Sequence, residues 1–311
     1  MSLCAYTLYI VDLLIEWSNK LKIAVVTDSN AGITKEEASK YGIHVVPMPF
    51  MIDGEEFFED INLTHEDFYK KLEEGADVVT SQPSPEAVMN IWDELLKEYD
   101  QIVYIPMSSG LSGAYQTSKM LAEDYEDKVF PVNNQRISGT LFHSCVDAVE
   151  LAKRGKTGSE IARILEDDKF NSSIYIMIGT LDYLKKGGRL TPAVAAIGNI
   201  LRIKPVLQIQ GEKLDAFALA RTFNNGKSTI INAVKKDAHS RYDCGDTYEN
   251  LYITVVYSQS IEEAEEFKKE VEAEFPGATV EIATLSLSVA CHIGPSSLAL
   301  TVAKYMDYER V

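Results

Sequence analysis

Cysteine is scarce and unpaired in this chain: Cys4, Cys145, Cys244 and Cys291 stand far apart, with no C-x-x-C among them. That spacing excludes a disulfide framework and a zinc ribbon, and fits reduced thiols in a cytoplasm. The five histidines are equally dispersed, so no metal site is expected. Positive charge is also short, at 30 Lys and Arg against 47 Asp and Glu, for a net charge of −17. Such a surface repels phosphate backbones and anionic headgroups, and without a dense basic cluster nucleic acid is not an expected partner. The segment most easily mistaken for a targeting sequence, Leu3 to Trp17, lacks a basic start and is interrupted by Asp12 and Glu16. It is shorter than the roughly 20 residues that span a bilayer. It reads as an added helix packed on the body or on a second subunit, not as a signal peptide or a stable membrane insertion. There is no internal repeat, no low-complexity segment, no phosphate loop ending in G-K-[ST] and no G-x-G-x-x-G. Nucleotide binding is therefore poorly supported.

What is present is a chain of 311 residues at 46% hydrophobic, enough for a full core in one large domain or two closely packed ones. Apolar runs and helical patterns alternate. Lys22–Thr27, Ile43–Phe50, Val78–Thr80, Gln101–Pro106 and a stretch near Lys128–Val132 read as strands, with helices at Thr34–Tyr41, Thr64–Glu74, Pro85–Glu98, Ala114–Tyr125, Ser138–Arg154 and Ser159–Asp167. This grammar predicts a parallel sheet with helices on both faces. From about Asn171 the texture changes. Strands at Ser173–Ile178, Lys204–Gln210 and Lys213–Ala220, the last two joined by a "GEK" turn, precede a helix at Asn225–Ala238, a strand at Leu251–Tyr257, a helix at Ile261–Glu274 and a strand at Ala278–Ala283. The expected organisation is an N-terminal extension over 1–20, an α/β domain over 21–170 and a second α/β domain over 171–311.

Ligands of open parallel sheets bind beyond the carboxyl ends of the strands, and three polar clusters fall there: "TDSNAG" at Thr27–Gly32, "TSQPS" at Thr80–Ser84 and "SSGLSG" at Ser108–Gly113. Each alone is ordinary turn chemistry; three at successive strand ends point to a site. "GLSGA", Gly110–Ala114, also approaches the G-x-S-x-G nucleophile elbow, with Ser112 as nucleophile and His292 downstream. That pattern defines an alternative, a serine hydrolase of acyl substrates.

Further along stand "GTLDYLKKGGRLTPAVAAIGNILRIKPVLQIQGEKL" at Gly179–Leu214, then "ARTFNNG" and "CHIGPSS". With "VTDSNAG", "TSQPSPE" and "IPMSSGLSGAYQ", these segments, in this order from about Lys22 to about Thr301, resemble the DegV family of bacterial fatty-acid-binding proteins. The resemblance implies a two-lobed α/β protein, a parallel α/β/α domain plus a second domain with a mixed sheet, holding one long-chain fatty acid at the cleft between them. It implies that Thr80 and Ser112 bind the carboxylate and that Arg189 and His292 belong to the same polar network. Ser81, Ser108 and Ser109 are candidates for support, as are Asp28 and Ser29, which read mainly as turn architecture. A carboxylate removed from water needs such hydrogen bonds, and a tail of about 14 methylenes contributes on the order of 11 kcal/mol before binding entropy. The resemblance further implies a non-enzymatic carrier without a cofactor, which presents its fatty acid to a separate ATP-dependent kinase for acyl-phosphate formation in phospholipid synthesis. Arg221, in "ARTFNN", is the expected docking residue. Two departures stand out: Asn133 and Asn134 where the family often has Asp-Ser, and Ser296 where glycine is commoner.

Overall fold

The computed structural model describes residues 21–189, 191–197, 203–245 and 247–311; the extension expected over 1–20 lies outside them. Seven strands come first: β1 (Ile23–Asp28), β2 (Ile43–Val46), β3 (Pro49–Ile52), β4 (Glu55–Phe58), β5 (Val78–Thr80), β6 (Gln101–Ile105) and β7 (Val129–Pro131). Four of them form a parallel sheet in the order β2-β1-β6-β7. β1 and β6 are buried along nearly their whole length, as strands covered on both faces must be. Alternate residues divide between two layers. Val25 and Val103 pack with Leu141, Ala148 and Ile161 of the helices Ser138–Lys153 and Gly158–Asp167. Ala24, Val26, Ile102 and Tyr104 pack with Val88, Trp92 and Leu121 of the helices Pro85–Leu95 and Ala114–Ala122.

The single strand expected over Ile43–Phe50 is two strands in different sheets. Pro47, which cannot donate to a ladder, lies at the break, and β3 turns away to pair antiparallel with β4 and β5. Val78–Thr80 is therefore a strand of this small sheet and not of the parallel one. Phe50 and Ile52 carry the small sheet onto the second half of the chain, in one core with Ile176, Leu207 and Val256.

That half supplies β8 (Ser172–Met177), β9 (Lys204–Ile209), β10 (Leu214–Ala220), β11 (Leu251–Tyr257), β12 (Thr279–Thr284) and β13 (Leu298–Lys304). They form a mixed sheet, β10-β9-β8-β13-β11-β12, in which only the β11–β12 pair is parallel. Period-two alternation gives it two different faces. Tyr175, Met177, Val255, Leu298 and Leu300 face the helices Phe223–Ser240 and Ile261–Glu274. Ile174, Ile176, Val256, Ala299 and Thr301 face the first half of the chain and line a cavity there. Among the described residues no helix is long and apolar enough to cross a membrane.

Candidate functional site

Strand order reverses between β1 and β6, so the chain leaves their carboxyl ends in opposite directions and opens a crevice. Asp28 closes the base of that crevice. Its Oδ2 accepts from the Met107 amide at 2.9 Å and its Oδ1 from the Asn30 amide at 3.0 Å, tying the two strand ends together. Burial pushes its carboxyl up, against those hydrogen bonds. Ser29 accepts from the Met48 amide at 3.1 Å. The Ser108 hydroxyl donates to the Glu212 carbonyl at 2.8 Å, joining the "SSGLSG" loop to the tip of the β9–β10 hairpin. The approach is so close that a Cβ on Gly110 would lie 2.4 Å from the same carbonyl, which accounts for glycine there.

Above this base lies a cavity of about 870 Å³, its mouth included, walled mainly by Met48, Leu111, Ile137, Ile209, Leu214 and Val289, with the sheet face beneath. One region of its wall is polar, formed by Thr80, Ser81, Gln82, Ser112, Arg189 and His292. β5 delivers Thr80, whose Oγ1 lies 2.8 Å from His292 Nε2. Ser112 Oγ accepts from the Ala114 amide at 3.2 Å, at the start of its helix. Both hydroxyls can thus accept one hydrogen bond from the protein while keeping an O–H to donate. The Arg189 guanidinium donates to the Gly187 carbonyl at 2.6 Å, just past the end of the helix Asp182–Lys186, while the same residue lines the cavity wall. Gly187 itself is dictated by packing, because a Cβ there would lie 2.0 Å from His292 Nδ1. Burial, aided by the Arg189 charge, pushes the His292 imidazole down to about 4, so the ring is neutral at neutral pH.

The structure thus brings Thr80, Ser81, Ser112, Arg189 and His292 to one cavity. Asp28, Ser29, Ser108 and Ser109 do not line it, and the first three brace the loops behind it. Arg221 is exposed, immediately after β10 and away from the cavity wall. Asn133 and Asn134 are also absent from the wall; Asn134 donates to Ser144 Oγ at 2.7 Å and Asn133 donates its amide to Glu166 at 2.9 Å. Five further polar residues line the wall without a site role in the sequence: Asn30, Gln82, Ser138, Ser288 and Thr301, the first two inside clusters already singled out. Ser288 lies one helical turn before His292, on the same face of the helix Leu287–Ile293, and donates to Asn30 Oδ1 at 2.5 Å.

A hydrolytic triad needs a base bonded to the serine and an acid orienting that base. Here His292 bonds Thr80, and its Nδ1 has no partner among the described residues. Elsewhere, Glu59, Asp60 and His65 form the one described group with metal-ligand proximity, but Glu59 already engages His65 and the Leu287 amide.

The DegV family model matches residues 22–305. The chain belongs to the DegV family. It is 31% identical over 283 residues to the DegV domain-containing protein SA1258 of Staphylococcus aureus (strain N315), covering 91% of this chain and 99% of the relative. Among solved structures it is similar to a DegV family protein from Thermus thermophilus described for its fatty acid binding, with 27% identity, a TM-score of 0.83 and coverage of 91% and 100% of the two chains. It is also similar to DegV of Bacillus subtilis, described as a fatty acid binding protein, with 27% identity, a TM-score of 0.81 and coverage of 91% and 99%. The α/β fold with one parallel and one mixed sheet is thus a DegV fold.

Proposed function

We propose that this protein binds one long-chain fatty acid in the cavity between its two lobes, residues 21–170 and 171–311, with the carboxylate held by Thr80, Ser112, Arg189 and His292. The observation that carries the reading is the cavity wall itself: aliphatic over most of its extent, with two hydroxyls, a guanidinium and a neutral imidazole gathered in one region. A carboxylate accepts from the Thr80 and Ser112 hydroxyls, whose oxygens are already polarised by His292 and by the Ala114 amide. Arg189, near the surface, balances the charge. Tail burial supplies most of the affinity, and the polar region selects a carboxylate over other apolar ligands.

In this reading the protein is a cytoplasmic carrier, and the chemistry belongs to a separate ATP-dependent kinase that converts the presented carboxylate into an acyl phosphate for phospholipid metabolism. Arg221, exposed beside the β10 edge, serves that docking surface. Two assays test the reading together. Direct titration with long-chain fatty acids should give saturable one-to-one binding that Thr80→Val and Ser112→Ala weaken, and activated acyl esters should not turn over. Ester turnover abolished by Ser112→Ala would replace the carrier by the hydrolase.

A further inference from the structure

A second polar region of the cavity lies away from Thr80 and His292. The loop that leads into β13 packs on the Gly179–Tyr183 segment, close to the head-group residues. From there the cavity-facing positions of β13 run outward through Ala299 to Thr301, about 7 Å further along the strand. Thr301 pairs with Ile174 on one side and Thr254 on the other. It is 2% exposed and lines the cavity, yet its Oγ1 has no hydrogen-bond partner among the described residues. Thr254 Oγ1, 3% exposed at the residue, is unpartnered as well.

Both hydroxyls converge on one point. A Cβ on Gly139 would lie 2.4 Å from Thr301 Oγ1 and 2.8 Å from Thr254 Oγ1. Gly139 sits in the first turn of the 16-residue helix Ser138–Lys153, whose preceding residue, Ile137, has no side-chain oxygen to cap the first amides. Ile137 and Ser138 line the cavity beside Thr301, and Ser138 holds a left-handed backbone, at φ 54°, to start the helix there. The unpaired Thr301 hydroxyl and the helix start at Ile137 and Ser138 thus meet at the cavity wall, while Thr254 and Gly139 lie behind it against a neighbouring pocket. A purely aliphatic chain lying against the Thr301 hydroxyl leaves it unsatisfied. A chain oxygen can accept from the helix amides or from Thr301, and a hydroxyl can also donate back.

We infer that this region is a subsite for an oxygen function carried far along the acyl chain, making oxygenated long-chain fatty acids, hydroxylated ones foremost, a preferred ligand class. The inference rests on the fatty-acid reading above. It is tested by titrating the unaltered protein with stearic acid and with positional isomers of hydroxystearic acid whose hydroxyl moves from mid-chain to the terminal carbon. At least one distal isomer should bind as tightly as stearic acid or more tightly. Thr301→Val should weaken that isomer about fivefold to tenfold relative to stearic acid, the worth of one hydrogen bond. Thr301→Ser should retain the preference. If every hydroxylated isomer binds about tenfold or more weakly than stearic acid, as apolar walls demand, the subsite is overturned while the fatty-acid reading stands. Equal effects of Thr301→Val on both ligands would overturn it too. If stearic acid itself fails to bind, both fall. The comparison on the unaltered protein decides the matter even if a variant does not fold.

Discussion

In the proposed reading, His292 joins packing, protonation and recognition in one residue. Its Nδ1 side is pressed against Gly187 and its Nε2 meets Thr80, so Gly187→Ala should displace the ring and weaken fatty-acid binding at least about tenfold, the loss of one charge-assisted hydrogen-bond chain. Titration calorimetry of the variant checks this. The depressed imidazole also has a thermodynamic consequence. Its ordinary value is 6.5 and in the fold it falls to about 4, so the unfolded chain takes up the proton first. Stability contributed by the neutral ring is complete above pH 6.5 and is lost as pH falls through the window down to about 4. His143, pushed down to about 3 by burial, adds to the loss in the same direction. Denaturant midpoints should therefore fall between pH 6.5 and 4, and His292→Asn should flatten part of that slope. Ser296, where glycine is commoner in the family pattern, holds φ 58°; Ser296→Gly should stabilise the protein by about 0.5–1 kcal/mol, read from chemical denaturation.

At the scale of elements, the "SSGLSG" loop and the β9–β10 hairpin hold each other, and Gly110→Ala should cost about 1–3 kcal/mol by forcing them apart, with ligand affinity falling because Ser112 moves with the loop. Much of this arrangement was legible in advance. Helices with sound local starts, such as Thr64 accepting from the Asp67 amide and Ser84 from the Ala87 amide, lie within a few residues of where their caps place them. The strands that escaped were decided by tertiary packing. Ile43 to Phe50 reads as one apolar run, yet Pro47 and the pull of Phe50 and Ile52 toward the second half split it between two sheets. β4 carries Glu55 and Glu56 and so lacks an apolar signature. Its cue was the Asp53-Gly54 pair, both at positive φ, which is the two-residue hairpin turn. The helix Leu287–Ile293 and β13 were also unread. In "SLSVACHIGPSSLALTVAK" the apolar runs on either side of Gly294-Pro295 are short and interspersed with serine, and periodicity over so few residues cannot tell a buried helix from a central strand.

The whole molecule explains why some site residues could be named from the sequence and others could not. Thr80, Ser112, Arg189 and His292 sit in recognisable motifs, as do Asn30 and Gln82, whereas Ser288 and Thr301 acquire meaning only when the mixed sheet is laid across the ends of β1 and β6. In the proposed reading, that layered construction makes the ligand part of the core. A fatty acid in that cavity would rest on the mixed sheet and on the loops beyond β1 and β6, so removing it should destabilise the protein, and reloading at about a hundredfold excess over Kd should restore about 2.7 kcal/mol. The most direct test of the account is to denature the purified protein, extract it with organic solvent and identify what is released by mass spectrometry, alongside Thr80→Val, Ser112→Ala and Arg189→Ala. The account predicts a near one-to-one long-chain fatty acid in the unaltered protein and its depletion in the variants. No lipid, even after incubation with a panel of fatty acids, would contradict it.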